Sequence, residues 1–136
     1  MGSEALERPA PERADDAPLP RETPALARWP ELRPFLRKAI ERYGPRLQSV
    51  LLYGSRARGE ERDESDYDIA LLIDGTFDLY EEVGILAELA HEDFFDHGVH
   101  IQGRPLHPER IARPDLKDFY ARNVARDGIL LVGRAP

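Results

Sequence analysis

Apolar positions recur along this chain in two rhythms, one of period near four and one of period two. Leu32, Phe35, Leu36, Ile40 and Tyr43 share the first, which predicts a helix. Trp29-Pro30-Glu31 opens it, because proline and an acid suit a first helical turn, and Gly44-Pro45 stops it. Residues 47–53 form an apolar run that reads as a buried strand. A tight turn at Gly54-Ser55 then opens a short helical stretch, followed by a charged loop over 59–65. The second strand is Ser65-Asp66-Tyr67-Asp68-Ile69-Ala70-Leu71-Leu72-Ile73. Strand side chains alternate faces, so Tyr67, Ile69, Leu71 and Ile73 can meet a core while Asp66 and Asp68 project together from the other side.

Asp74-Gly75 is a turn signal. Residues 77–95 read as a helix with Leu79, Val83, Leu86, Ala90 and Phe94 on its inward face, ended by Asp96-His97-Gly98. A short strand is expected over 99–102 and a helical turn over 106–111. A further helix over 115–126 should turn Leu116, Phe119, Tyr120 and Val124 inward, with Gly128 at its C-terminal cap. A closing strand follows over 129–132. The fold class expected from this order is α/β (α+β), a small mixed sheet with helices packed on it and no internal repeat.

Composition changes the picture at the N-terminus. Residues 1–27 are rich in Pro, Glu, Arg and Ala with few large apolar side chains, which predicts a tail that is disordered or laid loosely on the surface. The domain is then expected over residues 28–136, enough for one modest core. The formal charge of −7 argues against generic attraction to nucleic acid. The charge is uneven: residues 60–96 hold fourteen acids and one Arg, whereas residues 97–136 hold seven bases and four acids. The acidic tract is either a solvated face or a docking surface for a basic partner. Without cysteine, disulfides and thiolate zinc sites are excluded. No stretch is apolar enough to span a membrane and no signal peptide is recognised, so a cytoplasmic protein is expected.

The chemistry concentrates between residues 54 and 68. Two carboxylates held side by side repel each other and are costly without a cation. Oxygen ligands of this kind suit magnesium, which commonly takes substrate phosphates as further ligands. Gly54-Ser55 stands just before, where backbone N–H groups at a helix start can cradle a phosphate. Taken singly, Gly-Ser is an ordinary turn and Asp-x-Asp an ordinary solvated strand end. Other phosphate motifs fit worse. Gly54 and Gly59 have the glycine spacing of a P-loop, but Glu60-Glu61 stands where Lys-Ser/Thr is needed. Arg56 and Arg58 could neutralise a triphosphate or pair with the local acids. Ser65 should brace the turn into the second strand.

Gly54-Ser55, ten residues, then Asp66-x-Asp68 is a spacing that resembles the nucleotidyltransferase superfamily related to DNA polymerase beta. The chain looks most like its smallest members, the minimal nucleotidyltransferases of prokaryotes, several of which are antitoxins paired with HEPN toxins. The resemblance runs from about residue 28 to 132. It implies that Asp66 and Asp68 bind a pair of magnesium or manganese ions. It also implies that Gly54 and Ser55, with Arg56, Arg58 and Ser65 around them, hold the phosphates of a nucleoside triphosphate, with ATP expected. In this family a third carboxylate usually comes from the strand after the long helix. Here His100 stands at that position and should point the same way as Asp66 and Asp68. A neutral imidazole can accept a proton but is a poorer magnesium ligand than a carboxylate; Asp93 or Asp96 could substitute for it. The implied activity is transfer of AMP to a hydroxyl with release of pyrophosphate. The expected acceptor is a protein partner such as a HEPN-type toxin, and the expected assembly is a hetero-oligomer or a homodimer. The alternatives are a silent family member that neutralises by contact, a nucleotide sensor, and a transferase acting on small molecules.

Overall fold

The run at residues 47–53 is apolar on both sides, so it can be satisfied only as an inner strand with both faces covered. In the computed structural model, which describes residues 17–62, 65–113 and 115–136, it is such a strand. Strand β1 (Leu47–Tyr53) pairs antiparallel with β2 (Tyr67–Ile73) on one side and with β4 (Ile129–Gly133) on the other. Strand β3 (Ile101–Leu106) lies parallel to β2, giving a mixed sheet in the order β3-β2-β1-β4. The parallel pair needs a long crossover, supplied by the helix between β2 and β3.

Helices cover both faces. Helix α1 (Arg33–Tyr43) and α3 (Leu79–His97) pack on the side that carries Tyr67, Ile69, Leu71 and Ile73. The one-turn helix α2 (Ser55–Arg58) follows β1, and α4 (Pro108–Ala112) follows β3. On the opposite face Leu51, Ala70, Leu72 and Leu106 are closed off by Ala121 and Val124 of α5 (Phe119–Asp127). Each fully buried Leu or Ile in these layers is worth ~1.5–3 kcal/mol over leaving it in water.

Three expectations are corrected. First, residues 17–27 are no loose tail. Leu19 and Leu26 are buried in the main core. Thr23 donates its N–H to the Leu131 carbonyl at 2.9 Å and its hydroxyl to Leu130 at 2.6 Å, and Glu22 forms a bridge with Val132. The reason is the free edge of β4, whose unpaired backbone groups this segment satisfies. Residues 1–16, the rest of the expected tail, lie outside the described residues. Second, only the middle of the α3 apolar stripe is covered: Leu86 and Ala90 are buried, whereas Leu79, Val83 and Phe94 are exposed. Charged Glu82 and Asp93 share the buried face, because Arg42 and Lys38 of α1 stand opposite them. Third, α5 begins at Phe119, where Asp118 caps it by accepting the Ala121 N–H. Leu116 precedes it on the surface, Phe119 is exposed, and Ala121 with Val124 faces the core instead. Among the described residues no helix is long and apolar enough to cross a membrane.

Candidate active site

The turn after β1 is set by Gly54, whose φ of 79° and ψ of −158° are open only to glycine. A Cβ at Gly54 would lie 2.3 Å from Asp68 Oδ2, so the turn backbone is pressed against that carboxylate. β-pairing fixes the arrangement, since Asp68 is opposite Tyr53 of β1 and in register with Gln102 of β3. Asp66, just before the strand, is exposed, while Asp68 is half-buried. Burial pushes the Asp68 carboxyl up and the neighbouring Asp66 adds to the rise, with Arg104 and Arg58 opposing it. A carboxylate held in this way is relieved by a cation. An all-oxygen pair of donors fits magnesium or manganese, with room left for phosphate oxygens and water.

Among the described residues no group of three or more His, Asp or Glu side chains is gathered for a metal. His100 and Asp66 do share one shallow recess of about 340 Å³, with His91, Phe94 and Gln102 around it. The His100 carbonyl accepts the Tyr67 N–H at 2.8 Å, and its ring lies 4.4 Å from that of Phe94. Asp93 and Asp96 belong elsewhere. Both line a depression between α1 and α3, where Asp93 is buried 3.6 Å from Lys38. They are not replacements for the third acid, because the helix turns Asp93 toward α1 and away from β2.

The two arginines nominated beside Gly54 are engaged in building the turn. Arg56 lies 3.9 Å over the Tyr67 ring and donates Nε to the Ser65 carbonyl. Ser65 in turn accepts the Arg62 N–H at 2.8 Å, the brace expected of it. Arg58 pairs with Glu60 at 2.8 Å and Asp127 at 3.0 Å. The Tyr67 hydroxyl donates to Glu31, and burial with that carboxylate pushes it up to about 12.

Arg104 was missed by the sequence reading. It is in register with Ala70 on β3, on the Asp68 face of the sheet. It makes no ion pair among the described residues. Its carbonyl accepts the Tyr120 hydroxyl at 3.1 Å, and the Tyr120 ring lies 5.6 Å from that of Tyr53. Residues 103–105 read Gly-Arg-Pro, which looks like a strand end; only by carrying the alternation of His100 and Gln102 through them would Arg104 have been found.

The family described as "Polymerase beta, Nucleotidyltransferase" matches residues 36–135, which include the whole sheet. The chain is 27% identical over 100 residues to "Putative protein adenylyltransferase MJ0604" of Methanocaldococcus jannaschii, covering 74% of this chain and 93% of that one. Its fold is similar to a chain in the crystal structure of a toxin–antitoxin with AMP-PNP. That match has a TM-score of 0.51 and 24% identity, over 74% of this chain and 72% of the other. With the Gly54 turn set against Asp68 on a mixed four-stranded sheet, the chain belongs to the polymerase beta nucleotidyltransferase family.

Proposed function

We propose that this chain is a minimal nucleotidyltransferase that moves AMP from ATP to a hydroxyl on a protein partner, releasing pyrophosphate. One observation carries the reading: the glycine turn that could present backbone N–H groups to phosphates is packed directly against Asp68, with Asp66 two residues before it. The protein acceptor is supported by the similarity to the Methanocaldococcus relative, which is described as a "Putative protein adenylyltransferase". A HEPN-type toxin is the candidate partner that the resemblance to the minimal nucleotidyltransferases implies, and a fold shared with a chain of a toxin–antitoxin is in keeping with it. A transferase that draws on ATP would work in the cytoplasm.

Asp66 and Asp68 would hold magnesium or manganese. When bound, such ions lower the pKa of an attacking hydroxyl and neutralise the departing pyrophosphate. Gly54 and Ser55 orient the phosphates. Arg104, without a carboxylate partner among the described residues, supplies positive charge on the same sheet face, while Arg56 and Arg58 hold the turn rigid. His100 takes the proton of the acceptor hydroxyl as its oxygen bonds to the α-phosphorus and the α–β bridging oxygen leaves with pyrophosphate.

A second reading, a member that neutralises its partner by contact alone, is favoured by one feature: an imidazole, and no carboxylate, completes the recess beside Asp66. Co-expression with the protein encoded beside this one, followed by intact-mass spectrometry, separates the two. A complex whose partner gains the mass of AMP supports transfer; a complex without mass change, with toxicity relieved, supports contact. His100→Ala should lower turnover more than nucleotide binding, and His100→Asp should preserve or raise activity with magnesium.

A further inference from the structure

Strand β3 lines two hollows. His100, just before the strand, and Gln102 face the recess beside Asp66. Arg104, the next residue on that side of β3, lines a second recess of about 310 Å³. Asp68 is in register with Gln102, so Arg104 stands two residues, about 7 Å, farther along the strand. Its charge is felt at the acidic pair, since it opposes the rise of the Asp68 carboxyl.

The two recesses differ in chemistry. The first contains a carboxylate and two imidazoles, from Asp66, His91 and His100. Among the described residues the lining of the second has no carboxylate. Leu79 and Val83 of α3 and Pro105 of β3 give it apolar walls, and Tyr80 and Tyr120 add two aromatic rings. Tyr120 is fixed by its hydroxyl, which donates to the Arg104 carbonyl, and its ring lies 5.6 Å from that of Tyr53, the residue opposite Asp68. Of the two cations, Arg110 is tied to Asp118 by a pair of 2.6 Å hydrogen bonds. Arg104 has no such partner among the described residues, and its guanidinium lies 5.9 Å from the Tyr120 ring. Apolar walls and rings suit a flat heterocycle, because every base has a face that can stack. A guanidinium without a carboxylate suits an anion attached to that heterocycle.

We propose that the recess of Arg104 and Tyr120 receives the base and ribose of the nucleotide, and that the recess of His100 is left to the acceptor. The assignment rests on the nucleotide site proposed above and adds the residues that would recognise the nucleoside. The nucleotide then runs from the Gly54 turn, past the two aspartates, to Arg104. Its base avoids the carboxylate and imidazoles of the first recess, which stays open on the His100 side for an attacking hydroxyl. The exposure of Tyr80, Leu79 and Val83 acquires a use: they are the wall on which a base comes to rest.

The test uses the full ¹⁵N-labelled chain with magnesium and two probes, AMP-PNP and inorganic tripolyphosphate, which has no base. Both should shift amides around Gly54 and Asp68. Only AMP-PNP should also shift those of Tyr80, Val83 and Arg104. Val83→Trp, which fills the recess from an exposed helix position, should weaken AMP-PNP by roughly tenfold and tripolyphosphate by less than about twofold. Tyr80→Ala, at a side chain 89% exposed, should weaken AMP-PNP selectively by a smaller factor while leaving the fold unchanged. If both probes bind alike and the second recess does not respond, the assignment falls and the phosphate site stands. It falls too if Val83→Trp and Tyr80→Ala bind AMP-PNP as the natural chain does, or if AMP-PNP shifts the His91 and His100 amides in place of those of the second recess. Failure of both probes to bind would remove the nucleotide site itself, and the assignment with it.

Discussion

The two edges of the sheet are treated in opposite ways. At the β4 edge, residues 17–28 lie along the strand, hydrogen-bond to it and bury Leu19 and Leu26, although this segment has few apolar residues to offer. At the β3 edge, α3 is rich in apolar residues yet leaves several of them in solvent, beside exposed Gln102 and Arg104. Apolar content alone therefore does not decide what is buried. Unpaired backbone at β4 draws in a poor segment, while the β3 side stays open next to the two aspartates. One edge is built for stability and the other for access.

Core truncation should break this contrast most strongly. Leu26→Ala should cost ~2–5 kcal/mol, because a fully buried side chain leaves a cavity. Phe95→Ala on the open side should stay within ~0.5 kcal/mol. Urea denaturation of both variants measures the difference, and a costly Phe95→Ala would mean that this side chain belongs to the chain's own core. Next in size is Thr23→Val, which removes the hydroxyl donated to Leu130 and should cost ~1 kcal/mol while leaving nucleotide binding unchanged.

The site side should show the reverse sign. Burial and Asp66 raise the Asp68 carboxyl in the folded protein above its ordinary range. Between the ordinary and raised values the folded form binds more protons than the unfolded chain, so stability falls as pH rises through that window. Above it the cost is fully present. Asp68→Asn should therefore raise the thermal midpoint of the metal-free protein at neutral pH, and the gain should fade as pH falls through the carboxylate range. A variant less stable at neutral pH would show that Asp68 contributes to the fold.

These regions also differ in how far the sequence reveals them. The strands at 47–53 and 67–73 were legible because their apolar runs and alternation are local. The approach of Gly54 to Asp68 was legible in outline because chain spacing and strand parity place both at the same end of the sheet. Other features depend on contacts between distant residues. Glu82 and Asp93 are buried on account of Arg42 and Lys38, which lie on another helix. Arg58 is drawn off by Asp127, 69 residues away. Residues 17–27 are anchored by backbone hydrogen bonds, which no side-chain pattern announces. Leu79, Val83, Leu86, Ala90 and Phe94 share one stripe of α3, so periodicity could place the helix but could not say that only the middle of the stripe would be covered.

The central claim is that Asp66 and Asp68 form a metal–nucleotide site. Its most direct measurement is a calorimetric titration of AMP-PNP with magnesium into the natural chain and into the double variant Asp66→Asn, Asp68→Asn. The natural chain should bind only when the metal is present. The variant should fail to bind while keeping its circular dichroism and a cooperative thermal transition whose midpoint is no lower than that of the natural chain, since neither carboxylate faces the main core. Equal binding by both proteins, or binding by the natural chain without metal, would contradict the assignment.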